Sequence, residues 1–190
     1  ELPKMISKQH EALAEQMQVD DDLLVDLTKM PAEVGKLAEL RALTARAKIG
    51  AALEVVETYE TNGEPLVVFC NHSEPIRKLA QRDGWALIDG TVNAPTRAKA
   101  VEDFQAGRLK GLACNTRAGG VGITLTRASH ALFIDESWSP SENMQARDRI
   151  RRMGQLNHCL YLHLVAETRL EKAVWNALSK KLVLTQGAGI

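Results

Sequence analysis

From Pro65 onward the chain alternates short apolar runs with longer amphipathic stretches, a rhythm that few folds accommodate. The apolar runs place strands at 65–70, 85–88, 111–114, 131–135 and 158–165, and the stretches between them place helices near 74–83, 94–106, 140–151 and 167–184. Strand and helix taking turns is a βαβ series. Consecutive parallel strands are joined by helical crossovers of one hand, so the series predicts an α/β fold: a parallel sheet covered by helices on both faces. Before Tyr59 the texture differs. That region is almost free of glycine and rich in Leu, Ala, Glu, Lys and Gln, which predicts an N-terminal helical extension. Pro31 is placed to open a second helix after the acidic stretch Asp20-Asp21-Asp22.

At 190 residues with 45% hydrophobic content, the chain holds one well-buried domain, or a domain with a helical extension. Lys+Arg and Asp+Glu both number 24, so a nucleic acid would have to be gripped by a local patch and not by a global positive field. Cys70, Cys114 and Cys159 are far apart and odd in number. They read as small buried hydrophobes of an intracellular chain, cytosolic, nucleoid-associated or nuclear, with neither a zinc site nor a disulfide framework. No apolar run reaches the roughly 18 residues of a membrane span, and nothing resembles a signal peptide, so no membrane partner is expected.

Local signals fix several helix starts. Ser139-Pro140-Ser141-Glu142 combines an N-cap serine, a proline at the first helical position and a glutamate at the third, the pattern of a capping box. Asn93 is placed to cap a helix that Gly107 ends, with Val101 and Phe104 at core spacing and Arg97 near its first turn.

Two segments carry the chemistry. The first, Asn115-Thr116-Arg117-Ala118-Gly119-Gly120-Val121-Gly122-Ile123-Thr124-Leu125, is a glycine-rich turn at the carboxyl end of a strand, where open α/β sheets bind ligands. It lacks the Gly-Lys-Ser/Thr ending of a Walker A loop, and the alternative is a tight turn with no ligand. The second, Gln145 through Gln155, places Gln145, Arg149 and Arg152 at i, i+4 and i+7, on one stripe of the expected helix. Two guanidinium groups aligned in that way suit an anion with several oxygens, such as a nucleoside triphosphate. The competing reading of the Arg147, Arg149, Arg151, Arg152 cluster is a solvated basic face. Ala131-Leu132-Phe133-Ile134-Asp135-Glu136 looks like a Walker B strand, but without a phosphate loop its two carboxylates read as capping and hydrogen-bonding groups. Trp138 is either a stacking surface or a buried anchor. Of five scattered histidines, His72, beside Asn71 just after a strand, is the one to watch.

In combination these segments resemble the second RecA-like lobe of the Swi/Snf family of superfamily-two helicase-like ATPases, which are double-stranded-DNA translocases. Four stretches in the same order carry the likeness, over roughly residues 48–178. They are Leu66-Val67-Val68-Phe69-Cys70-Asn71, then Ile88-Asp89-Gly90-Thr91 with Arg97 and Phe104, then Asn115–Leu125, then Phe133-Ile134-Asp135-Glu136-Ser137-Trp138-Ser139-Pro140 leading into Gln145–Gln155. The chain differs from the family pattern at Thr124 and Ser139, where asparagine is usual.

The resemblance implies a RecA-like parallel sheet flanked by helices, with residues 1–47 a helical linker or insertion from the lobe junction and residues 48–190 the C-terminal lobe. It implies ATP as substrate, with Mg2+ and the phosphate loop held by a first lobe; no G-x-G-K-T and no D-E-x-H segment precedes Lys48. By position, Arg149 and Arg152 become arginine fingers, and Gly120, Gly122 and Gln145 lie beside the nucleotide. DNA-backbone contact is carried onto Asn71, His72, Arg97, Thr116 and Arg117. The implied partners are double-stranded DNA and the N-terminal RecA-like lobe of the same protein. On this reading the chain is a portion of a longer DNA-dependent ATPase and hydrolyses ATP negligibly by itself. The alternatives are a stand-alone RecA-like module that binds DNA or a partner, or a lobe of another superfamily-two motor.

Overall fold

Five strands form one all-parallel sheet in the order β2-β3-β1-β4-β5. The computed structural model describes residues 31–117 and 122–168, with 171–172, 174–176 and 178. These divide into two units, one of residues up to Ala47 together with those from Val165, the other Lys48–Leu164. In the first, helix α1 runs Pro31–Ala47, with the proline at the position where a missing N–H costs nothing. Residues 171–172 and 174–176 are helical, and the rest of the helix expected at 167–184 lies largely outside the described residues.

The second unit follows the βα rhythm. Its elements are α2 (Ile49–Asn62), β1 (Leu66–Cys70), α3 (Ser73–Leu79), β2 (Trp85–Ile88), α4 (Ala94–Gln105), β3 (Gly111–Asn115), β4 (His130–Phe133), α5 (Pro140–Arg147) and β5 (Leu160–His163). Helix α2 stops at Gly63, whose φ of 69° is the left-handed conformation that lets its N–H reach back to the last turn. Helix α4 starts as its sequence signals, the Asn93 side chain accepting the Thr96 N–H at 2.9 Å, and it ends at Gly107, φ 82°.

Central strand β1 is apolar throughout and buried at all five residues, because both sheet faces are covered. Alternate residues Val67 and Phe69 of β1, Leu112 and Cys114 of β3, and Ala131 and Phe133 of β4 share one cluster with Ala100 and Phe104 of α4, Ala146 of α5, Leu125 and Ile150. Fully burying a side chain such as Phe104 stabilises by about 1.5–3 kcal/mol. Cys70 and Cys114 are buried as expected, whereas Cys159 is only half-buried.

One boundary matters for function. Helix α5 ends at Arg147 and not at 151, so Gln145, Arg149 and Arg152 do not share a helical stripe. The reason is tertiary. The Arg147 carbonyl accepts the Tyr161 hydroxyl at 3.2 Å, the Arg149 carbonyl accepts the Leu125 N–H at 2.9 Å, and the Ile150 carbonyl accepts Gln155 Nε2 at 3.3 Å. The chain tightens into i→i−3 bonds, Arg149 N–H to Ala146 and Ile150 N–H to Arg147, while the Ile150 side chain turns into the core.

Candidate functional site

Strands β3, β1 and β4 end side by side, so the residues that follow them form a row along the carboxyl edge: Thr116 and Arg117, Asn71 and His72, Asp135 and Glu136. The chain leaving β1 goes to β2 on one side of the sheet, and the chain leaving β4 goes to β5 on the other. The crevice between the ends of β1 and β4 is therefore a topological switch point, the place where open parallel sheets bind ligands. His72 Nε2 and Asp135 Oδ2 face each other there at 3.2 Å.

The edge is laced together and yet incompletely satisfied. Asn115 Nδ2 donates to the Asn71 carbonyl at 3.0 Å, and Asn115 Oδ1 accepts the Arg117 N–H at 3.0 Å, which fixes where the glycine-rich loop departs. Asn71 Oδ1 and Thr116 Oγ1 are buried atoms with no hydrogen-bond partner among the described residues. Folded interiors pair such atoms almost without exception, and an unpaired one costs about 1–3 kcal/mol. Beside them, after β2, buried Asp89 accepts the Thr91 N–H at 2.8 Å and pairs with Arg77 at 3.0 Å. Burial pushes the Asp89 pKa up, but the Thr91 hydrogen bonds and the Arg77 guanidinium outweigh it and hold the carboxyl below its usual range. That turn aims the chain into α4, whose first turn carries half-buried Arg97 at the same edge.

The two arginines come together through the turn after α5. Arg149 is 9% exposed, its Nε has no partner, and it makes no ion pair or side-chain hydrogen bond with a described residue. Burial, and next the charge of Arg152, lower its pKa. Arg152 is exposed, and its Nη1 donates to the carbonyls of Gly122 and Ile123 at 3.1 and 3.2 Å and to Thr124 Oγ1 at 3.2 Å. Neither guanidinium forms a salt bridge with a described carboxylate, although the Asp148 charge acts against the lowering of the Arg149 pKa. Gln145 is exposed on α5, Gly122 has φ 32°, and Gly120 lies outside the described residues.

Arg147 belongs to the same basic run and its Nε is likewise without a described partner, but Arg147, unlike Arg149, is paired with a carboxylate. Its Nη2 bonds Glu136 Oε1 at 2.7 Å, and its guanidinium lies over the rings of Phe133 and Tyr161. Glu136 Oε1 also lies 3.2 Å from His163 Nδ1, whose ring stacks on Phe133. Burial, then the Arg147 charge, push the His163 pKa down to about 4. Of the two carboxylates of the Walker B-like strand, Glu136 is thus hydrogen-bonded and ion-paired by Arg147, as the sequence reading expects, and Asp135 lies against His72. Trp138 is half-buried.

The capping box does not form. The Ser139 hydroxyl bonds that of Ser141, and Glu142 reaches past its own helix end to accept the Ser137 hydroxyl and, at 3.2 Å, Arg117 Nε. Buried Asn143 holds Ser137 by both backbone groups, accepting its N–H at 2.8 Å and donating to its carbonyl at 2.9 Å. The roles of Glu142, Asn143 and Arg147 have no local signal, since each depends on which strands become neighbours. Only the Asp89-Gly90-Thr91 turn advertises itself, through an aspartate two residues before the N–H it accepts.

Comparison with known proteins bears on this geometry. The model of the helicase conserved C-terminal domain matches residues 47–154. The human DNA annealing helicase and endonuclease ZRANB3 is 28% identical over 163 residues, 82% of this chain and 15% of that protein. The Xenopus laevis SWI/SNF-related matrix-associated actin-dependent regulator of chromatin subfamily A-like protein 1 is 27% identical over 154 residues, 77% of this chain and 16% of that protein. The chain thus spans a minor part of the relatives it matches. The crystal structure of the C-terminal part of the Fun30 ATPase domain superposes with a TM-score of 0.62 at 23% identity, covering 69% of this chain and 45% of that one. No described helix is long and apolar enough to cross a membrane.

Proposed function

The chain belongs to the helicase conserved C-terminal domain family and is a second RecA-like lobe of Swi/Snf type, and from that premise we propose that its parent is an ATP-driven translocase on double-stranded DNA. In this reading the parent remodels protein–DNA complexes or DNA structures. The lobe, assigned to 48–190 with 1–47 as the linker from the lobe junction, supplies arginine fingers and DNA-backbone contacts.

The observation that carries the reading is Arg149. Arg149 is nine-tenths buried as a residue and its guanidinium forms no salt bridge with a described carboxylate, only the Asp148 charge acting in its favour, so an outside anion that enters is stabilising. The γ-phosphoryl group of ATP is such an anion, and its charge spreads over three oxygens as the terminal bond breaks. Arginines supplied to that group are worth about 10³ to 10⁵ in rate in related systems. Arg149 and Arg152 take that role, with Gly120, Gly122 and Gln145 beside the nucleotide. Asp135 and Glu136 are occupied by His72, Arg147 and His163, so Mg2+ and the phosphate loop are assigned to the first lobe. Alone, the lobe hydrolyses ATP negligibly. Asn71, His72, Arg97, Thr116 and Arg117 meet the DNA backbone, and a sequence-blind contact of this kind is what a translocase needs.

The test is ATP hydrolysis by the two-lobe parent with duplex DNA, with RNA and with neither. Duplex DNA is expected to raise the rate, and Arg149→Ala or Arg152→Ala to lower the stimulated rate about 10³-fold. A stimulated rate unchanged in both variants overturns the finger assignment.

A further inference from the structure

We propose that Glu142 is a positioning residue that sets Arg117 for a DNA phosphate and links that contact to the helix leading to Arg149. The inference rests on the translocase reading. Its observations are geometric.

Arg117 is the last described residue before the glycine-rich loop, with its N–H held by Asn115 Oδ1 at 3.0 Å. Its side chain is 66% exposed, and Nε is bound by Glu142 Oε2 at 3.2 Å. With Nε anchored, the end-on edge of the two terminal nitrogens, one of the forks that can grip a phosphate, makes no bond to a described residue. The carboxylate itself is not a loose surface group. It lies in the first turn of α5, where the positive end of the helix favours it, and the same Oε2 accepts the Ser137 hydroxyl. Ser137 is in turn clasped by Asn143 at both backbone groups. The exit from β4, the start of α5 and the exit from β3 are therefore one connected network.

The far end of the glycine-rich loop is tied to the same region, through Arg152 on Gly122, Ile123 and Thr124 and the Leu125 N–H on the Arg149 carbonyl. The two flanks of the loop are thus tied to the two ends of α5, Arg117 to Glu142 in its first turn and residues 122–125 to the turn that carries the fingers. Glu142 is the near pin.

The experiment uses the full-length parent and measures ATP hydrolysis against duplex DNA concentration, together with the salt dependence of duplex binding. Glu142→Ala is expected to raise the DNA concentration for half-maximal stimulation about 3- to 10-fold, and to leave the DNA-free rate and the KM for ATP within about twofold. The slope of log affinity against log salt is expected to fall by about 0.9, to the value of Arg117→Ala, because one phosphate contact is lost. Added to Arg117→Ala, it should change nothing further. Glu142→Gln, which keeps an acceptor oxygen, should recover part of the effect and serves as the second variant if the alanine protein folds poorly. Tighter DNA binding without Glu142, or losses in the double variant that simply add, overturns the proposal. Absence of DNA stimulation in the wild-type parent would instead overturn the translocase reading.

Discussion

The two edges of the sheet treat their charged groups differently. At the amino edge, Arg82 binds Glu60 at 2.6 Å and Trp85 Nε1 donates to the same carboxylate at 2.7 Å. The Arg82 hydrogen bond is the largest of the contributions that hold the Glu60 carboxyl below its usual range. Arg127 gives Nη1 to the carbonyls of Phe104 and Leu109 at 3.0 and 2.7 Å and lies over the Phe104 ring. At the carboxyl edge, Asn71 Oδ1 and Thr116 Oγ1 are buried with no partner among the described residues, and in the turn after α5 Arg149, more buried than either of those arginines, makes no side-chain hydrogen bond or ion pair with a described residue. The amino-edge arginines find their partners within the chain, whereas these groups find none among the described residues, as the proposed ligand contacts require. On the proposed function, unequal satisfaction of buried groups separates those that hold the fold from those kept for a ligand.

The largest expected effect tests that contrast directly. In the two-lobe parent, Arg149→Ala should cost about 10³-fold in stimulated hydrolysis while leaving the lobe within about 1 kcal/mol of its original stability, because no internal bond is lost. Arg127→Ala should do the reverse, destabilising by about 2 kcal/mol with the rate per folded molecule unchanged. Denaturant unfolding beside steady-state hydrolysis reads both. An Arg149 variant that unfolds the lobe would break the comparison.

Arg147 sharpens it, since it lies in the same basic run and its Nε, like that of Arg149, has no partner among the described residues, but its Nη2 is paired with a carboxylate. Replacing it with methionine leaves buried Glu136 without its nearest cation, and about 3 kcal/mol of stability should be lost. Retention of wild-type stability would mean that the pair contributes nothing.

This pair also marks where the sequence stops being informative. The βα alternation, the parallel sheet, the Asn93 cap and the Gly107 stop are local or periodic properties, and each is readable along the chain. The end of α5 is not, because Leu125 and Gln155 engage the Arg149 and Ile150 carbonyls and Tyr161 adds a third donor to that of Arg147, and Leu125 and Tyr161 are distant in the sequence. Spacing put Arg149 and Arg152 on one helical stripe; a turn after the helix is what carries both. Nothing local distinguishes Arg147 from its neighbours either, since its partners come from β4 and β5, adjacent only in the folded sheet. Glu142 carried a misleading signal. Its spacing from Ser139 suits a cap, but Ser137 and Arg117 claim the carboxylate.

A smaller effect concerns pH. His163 has a folded pKa of about 4, through burial and then the Arg147 charge, against an ordinary value of about 6.5. Between those values the unfolded chain takes up a proton that the folded chain refuses. Its contribution to stability is therefore complete above pH 6.5 and is lost as pH falls toward 4, by about 2 kcal/mol at pH 5. Urea unfolding at pH 7 and pH 5 should show a steeper loss for the wild type than for His163→Gln. Arg147→Met should raise the His163 pKa, visible in its ring proton shifts. Identical losses in both proteins would show that the imidazole is not held neutral.

The smallest expected effect is the most discriminating, because it asks whether a hydroxyl contributes nothing to the fold. Thr116 is 3% exposed and its Oγ1 has no partner among the described residues, so Thr116→Val exchanges an unsatisfied hydroxyl for a methyl of similar size. At a satisfied position the loss of a hydrogen bond costs about 0.5–1.5 kcal/mol; here stability should change by less than about 0.5 kcal/mol, or rise. Trp85→Phe is the amino-edge control, since it removes the bond to Glu60 and should fall in the costly range. The same valine should weaken duplex DNA binding by the parent and lower its salt slope, as expected when a donor beside a phosphate disappears. If Thr116→Val instead destabilises the lobe as much as Trp85→Phe does, the hydroxyl has an internal partner and the carboxyl edge is no less closed than the amino edge.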